Sequence, residues 1–118
     1  RSATDVSDMN RRFAAQQDFA GDAAALVILV ARFDRHQWKY RFEPNVLSVL
    51  FTDAGHLSQT LYLIGTELGL ATFYTGALDY KLISSEMGLD SVSIGPLGIF
   101  GFGFPSTQYL EKQGQPAD

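Results

Sequence analysis

The chain has 118 residues, 46% hydrophobic and 19% charged, with 11 glycines, no cysteine and a net charge of −4. That is one domain's worth of sequence, able to bury roughly two-thirds of its unfolded surface and too apolar to be disordered along most of its length. The lack of cysteine excludes a disulfide scaffold, a thiolate metal site and a cysteine nucleophile, and a pI near 5.0 argues against general nucleic-acid binding.

The longest apolar run, residues 23–31, is too short for a bilayer-spanning helix, which needs about 20 residues, so no membrane partner is expected. The polar start, Arg1-Ser2-Ala3-Thr4-Asp5, has no signal-peptide pattern, and a reducing cytoplasm is the expected compartment. The chain starts at Arg1 rather than Met, as a processed or trimmed piece of something longer would.

Asp5 or Ser7 can cap a short helix running to about Ala15, with Met9, Phe13 and Ala14 as its apolar stripe. Residues 16–22, containing Gly21, read as a connection. Ala23–Ala31 is apolar without alternation, which suits a strand covered on both faces; a short buried helix is the competing reading.

Residues 32–41 break this pattern. Arg32, Arg35, Lys39 and Arg41 alternate with Phe33, Trp38 and Tyr40 in a segment expected to be irregular. It reads either as a solvated face whose arginines cover aromatic rings, or as a cationic, aromatic-lined edge beside an anionic ligand. Pro44 limits any helix crossing Phe42 and Glu43.

From Asp53 to Gly69, the spacing of Leu57, Leu61, Ile64 and Leu68 predicts an amphipathic helix with those residues as its core stripe. Asp53 is the expected N-cap and Gly69 the left-handed C-terminal residue. Tyr62, Leu63 and Leu70 widen the apolar face, as in a helix buried on more than one side within a large domain or at a subunit interface. Ala71–Thr75 is strand-like and runs into Gly76; Asp79–Met87 reads as a short helix closed by Gly88. Leu97–Phe102 reads as a glycine-rich strand whose missing side chains admit another backbone or a ligand. Residues 114–118 form a polar tail expected to be loose. Together these elements make an α+β layer arrangement with too few strands to close a sheet by itself.

Few constellations carry chemistry. His36 and His56 are the only histidines; Asp53 precedes His56 by three residues, but no third ligand has a usable spacing, so no metal site is expected. The glycines at 98, 101 and 103 run in the reverse order of the dinucleotide fingerprint and lack its strand–turn–helix context. No Walker sequence or nucleophile elbow is present. Lys39 and Tyr40 remain. Neighbouring positive charge disfavours an ammonium, so a lysine among arginines can serve as a proton-abstracting base, and a phenol can steer or donate a proton.

The string Trp38-Lys39-Tyr40-Arg41, followed by Asp53-Ala54-Gly55-His56, Gln59 and Glu67-Leu68-Gly69-Leu70, resembles the dehydrogenase domain of streptolysin-maturation and thiazole/oxazole-synthesis oxidases (the SagB/ThcOx type). These are a branch of the FMN-dependent nitroreductase superfamily. The resemblance continues through Thr75-Gly76-Ala77, Met87-Gly88-Leu89-Asp90 and residues 101–105, covering residues 5–106 or so.

It implies FMN-dependent removal of two hydrogens from a modified residue in a ribosomally made peptide, typically azoline to azole. The family's lysine–tyrosine pair falls on Lys39, as the base, and Tyr40, which assists. Hydride passes to the flavin, which dioxygen reoxidises. The family loop whose backbone N–H groups meet the flavin ring falls on Thr75 and Gly76, flanked by Tyr74 and Ala77; a side chain at Gly76 would obstruct a flat ring.

A complete domain of that kind is roughly twice as long. The resemblance therefore implies the C-terminal half of a nitroreductase-like fold, residues 1–118, with a central antiparallel sheet flanked by helices and completed by another chain. The arginine–serine segment that holds the FMN phosphate and ribityl chain belongs to the other half, and Lys112 is the only cation after Pro105. Expected partners are that N-terminal half or another subunit, a peptide substrate, and a second copy of the whole domain in a dimer. Two alternatives stay open: a non-catalytic interaction subunit that docks a partner or a leader peptide, and a general nitro or flavin reductase.

Overall fold

The computed structural model describes residues 3–39, 41, 45–112 and 114. The elements in chain order are α1 (Ala3–Phe13), α2 (Asp18–Gly21), β1 (Ala25–Arg32), α3 (Phe33–Lys39), α4 (Val46–Glu67), β2 (Ala71–Thr75), α5 (Tyr80–Met87), β3 (Ile94–Gly103) and α6 (Thr107–Lys112).

β3 is the centre of a three-stranded sheet of order β1-β3-β2, and it pairs antiparallel with both neighbours. β1 and β2 therefore run in the same direction along opposite edges, and the segments that follow them leave from the same end of the sheet. The β1–β3 register places Leu29 opposite Gly98 and Val30 opposite Pro96, so Leu97 is the extra residue of a bulge. A bulge is one of the few places where a central strand accepts proline, which has no N–H for the ladder.

Both faces of the sheet are covered, as the unbroken apolar run of β1 suggests. On one face Ala14, Ala20, Leu78 and Ile83 from α1, α2 and α5 with their connections pack with Ile99, flanked by Leu26, Ile28 and Phe73. On the other, Leu50 and Ala54 of α4 pack with Leu29, Ala31 and Leu97. Tyr62 meets the buried ring of Phe100 edge-on, with centroids 5.1 Å apart.

Helix α4 starts at Val46, well before the expected Asp53, which lies exposed within it; Asn45 occupies the N-cap position. Its buried positions are Leu50, Ala54, Ser58 and Gly65. The expected core stripe points elsewhere: Leu57, Ile64 and Leu68 are 49%, 51% and 67% exposed, and Leu61 is half-buried. Small residues define the inner face because they let the helix axis approach the sheet; a Cβ at Gly65 would run into the Thr72 side chain. The helix ends as expected, with Gly69 left-handed at φ +71°.

The basic segment is also ordered differently from the expectation. It forms helix α3, with Asp34 in the first turn and His36 and Lys39 in the last, complementing the helix dipole. Arg32 Nη2 reaches Asp34 at 3.4 Å, and His36 Nδ1 donates to the Arg32 carbonyl at 3.3 Å. The Asp34 carboxyl is held below its usual range chiefly by the Arg35 backbone N–H; desolvation opposes this, and the charge of Arg32 adds a smaller lowering effect.

Three glycines of β3 make room for rings, while Gly103 lies against the backbone of residues 22–24. A Cβ at Gly98 would overlap Tyr74, one at Gly101 would overlap Phe73, and one at Gly95 would press on Phe33. Helix α5 matches its local signals: Asp79 Oδ1 accepts from the Leu82 N–H at 3.0 Å, and Gly88 closes the helix at φ +63°. α2 lies within the expected connection, and α6 was not foreseen. Residues 115–118 of the expected loose tail lie outside the described residues.

Candidate functional site

The loop after β2, residues 75–79, is anchored from behind and open in front. Thr75 ends β2 and is buried. Its hydroxyl accepts from the Ala77 N–H at 3.1 Å and from Gln17 Nε2 at 2.9 Å, and donates to Gln17 Oε1 at 3.4 Å. Gln17 Nε2 also donates to the Ala14 carbonyl at 2.8 Å and reaches the Ala77 carbonyl at 3.3 Å. Further along, Leu78 is buried and the Asp79 N–H donates to the Phe13 carbonyl at 3.0 Å.

Gly76 sits exposed at the front of this loop. A Cβ built on it meets nothing within 4 Å, its φ lies outside the left-handed region, and its N–H has no partner among the described residues. The loop thus carries an exposed glycine, open on its Cβ side, on a braced support. With no side chain at Gly76, a flat ring has room to approach the backbone there. The Tyr74 side chain turns away from this opening. It packs beside Leu50, Ala54 and Leu97 on the α4 face, and burial pushes its phenol up, with a smaller contribution from the negative charge of Tyr80.

Lys39 lies in the last turn of α3, where no residue is buried. Trp38 is 72% exposed, so the arginine-covered aromatic face is present without burial; the Arg41 guanidinium lies 5.4 Å from the Trp38 ring centroid. Tyr40 lies outside the described residues. The structure therefore groups Tyr74, Thr75, Gly76 and Ala77 around one loop and puts Lys39 on a separate element. Both leave the same end of the sheet, one after β1 and one after β2. A groove of about 360 Å³ is lined by Phe33 from the start of α3 and by Tyr80 and Lys81 from the start of α5, and neither Lys39 nor residues 74–77 line it.

Gln17 was missed by the sequence reading. It lies 58 residues from Thr75, and no local signal marks such a contact; the only trace is its place in the polar pair Gln16-Gln17 within a connection. His56 is exposed on α4, and no group of residues able to hold a metal is found among the described residues. Among the described residues, no helix is long and apolar enough to cross a membrane.

No curated protein sequence matches the chain. Solved structures do. A protein of Anabaena variabilis assigned as a nitroreductase aligns over 85% of this chain with a TM-score of 0.74 and 23% identity. The E. coli microcin synthetase McbBCD complex, with truncated pro-MccB17 bound, aligns over 83% with a TM-score of 0.73 and 18% identity. Nitroreductase A from Vibrio parahaemolyticus aligns over 90% with a TM-score of 0.68 and 19% identity. The chain spans 20%, 36% and 47% of the lengths of these three, respectively. The α+β architecture, with its helix-flanked antiparallel sheet, is thus part of a nitroreductase-like fold. The nitroreductase family profile matches residues 3–104, so the chain belongs to the nitroreductase family, whose members are flavin-dependent oxidoreductases.

Proposed function

We propose that this chain is the C-terminal part of an FMN-dependent dehydrogenase that oxidises a modified residue in a ribosomally made peptide, azoline to azole in type. The observation that carries the reading is Gly76 itself, exposed and with nothing within 4 Å of its Cβ position, on a loop braced by Thr75 and Gln17. Thr75 and Gly76, flanked by Tyr74 and Ala77, would hold the edge of the flavin ring. When bound, the flavin supplies the electron sink that accepts hydride from the substrate carbon. The chain supplies position and a base: Lys39 takes the substrate proton and Tyr40 assists.

Likeness of fold to the McbBCD synthetase, solved with a pro-peptide, accords with the peptide-modifying reading, as likeness to the nitroreductases accords with a general nitro or flavin reductase. The lengths of the matched structures, and the apolar residues that α4 leaves exposed, support completion by an N-terminal half or another subunit. The FMN phosphate would be held by that other part.

The test is a mass spectrum and a visible spectrum of the purified assembly. Two polypeptides with a flavin absorption band are expected. An assembly that carries no flavin and takes up none favours the interaction-subunit reading, for which the exposed Leu57, Ile64 and Leu68 of α4 would be the docking face.

A further inference from the structure

We infer that Gln17 is a positioning residue for the loop that meets the flavin, acting through Thr75 and Ala77; this rests on the flavin reading above. The Gln17 carboxamide faces three groups. Its Nε2 lies 2.8 Å from the Ala14 carbonyl, 2.9 Å from Thr75 Oγ1 and 3.3 Å from the Ala77 carbonyl, and its Oε1 lies 3.4 Å from Thr75 Oγ1. Two carbonyl oxygens around one end of the amide settle which end is nitrogen, because the reverse orientation would set oxygen against oxygen. The Thr75 hydroxyl has one proton, which goes to Oε1, and it accepts from both Nε2 and the Ala77 N–H. One side chain thus holds both ends of the Thr75–Ala77 segment, and Gly76 is the peptide between them.

The backbone before Gln17 bears on the same point. Ala15 and Gln16 are consecutive left-handed residues, at φ +50° and +65°, a conformation that L residues with a Cβ disfavour. They are the only positive-φ residues other than glycine among the described residues. The turn is pinned by Gln16 N–H to the Arg11 carbonyl at 2.7 Å and by Gln17 N–H to the Ala14 carbonyl at 3.1 Å. It ends α1 abruptly and delivers the Gln17 side chain under the loop. Strain of this kind persists where the surrounding structure over-determines it, and it concentrates at functional sites.

No Gln17 atom lies within 4 Å of the Cβ position of Gly76. Its effect on a bound ring runs through the direction of the Gly76 N–H, a donor that stabilises the extra electron density of a reduced flavin.

The experiment compares wild type, Gln17→Ala, Thr75→Val and the double variant in the assembled protein. FMN affinity is read from flavin fluorescence, the reduction potential of the bound flavin from redox titration, and amide exchange at Gly76 and Ala77 from the flavin-free form. Each single variant should speed exchange at Ala77 and weaken FMN binding about tenfold, the size of one lost positioned hydrogen bond. The flavin potential should fall, and the double variant should lose little more than either single one, because both remove the same clamp. A lower melting temperature with unchanged potential and affinity would reduce Gln17 to a structural residue and overturn the proposal. So would additive losses, or unchanged exchange at Ala77 in Gln17→Ala. A wild-type assembly that binds no FMN overturns the flavin reading itself and the positioning role with it, while the exchange data separately decide whether the clamp exists.

Discussion

Gly65 of α4 faces Thr72 of β2 so closely that a Cβ on the glycine would collide with the threonine methyl group. In an exposed helix interior, replacing glycine by alanine gains about 0.5–1 kcal/mol. At Gly65 the collision reverses the sign, and Gly65→Ala should destabilise by about 1–3 kcal/mol, as overpacking does. Gly55 lies in the same helix, with nothing within 4 Å of its Cβ position. Gly55→Ala should therefore stabilise, and denaturant titration of the two variants in the assembled protein should give shifts of opposite sign.

Gly76→Val probes the ring-edge site with little effect on the fold. The added side chain meets no neighbour within 4 Å at Cβ, and the backbone there is not left-handed. The melting temperature should stay near that of wild type while FMN affinity falls at least tenfold. Equal flavin affinity in the variant would place the ring elsewhere.

Lys39→Ala should abolish peptide oxidation with FMN bound and the assembly intact, since loss confined to turnover marks a group acting in the transition state. Tyr40→Phe should cost less, as only the hydroxyl is removed. A purely surface role for this segment predicts the opposite pattern, with undiminished turnover in Lys39→Ala.

The exposed apolar residues of α4 bear on assembly. The chain's radius of gyration is 16.4 Å, against about 13–14 Å for a compact chain of this length. Residues 1–118 expressed alone should self-associate, and converting Leu57, Ile64 and Leu68 to glutamine should suppress this in sedimentation velocity. A monodisperse, cooperatively folding wild-type monomer would count against the partner role of this face.

Alkaline pH tests Tyr74. Its phenol titrates above the usual tyrosine value near 10 because it is partly buried, and next because of the charge of Tyr80. The folded state therefore holds the proton more tightly than the unfolded state. The resulting stability is fully present below the unfolded value and is lost as pH rises from about 10 through the folded one. Tyr74→Phe should flatten part of the fall in melting temperature above pH 10.

What the sequence made legible were signals carried by neighbours in the chain. The apolar run of β1, the short helix α5, and Gly69 and Gly88 as helix ends all appear in the structure where local chemistry puts them. The inner face of α4 did not, because it consists of Ala54, Ser58 and Gly65 as much as of large apolar residues, and hydrophobic counting passes over them. Helix α3 was hidden by its charges, which suit a solvent-exposed helix as well as a loop. At the site, the open loop at Gly76 was reached through resemblance, whereas the Gln17 contact joins positions 58 residues apart and has no local signature.

The glycine positions of β3 have a consequence for how this sheet can vary. Tyr74 lies over Gly98 and Phe73 over Gly101, so the space above the central strand belongs to side chains from its neighbour. Each pair shares a fixed volume, and neither member can change size alone. Gly98→Ala by itself should be disruptive, yet combined with Tyr74→Leu it should recover much of the loss. Sequence drift in this sheet would then proceed by paired exchanges across strands, with glycine on one side and an aromatic on the other trading bulk between them.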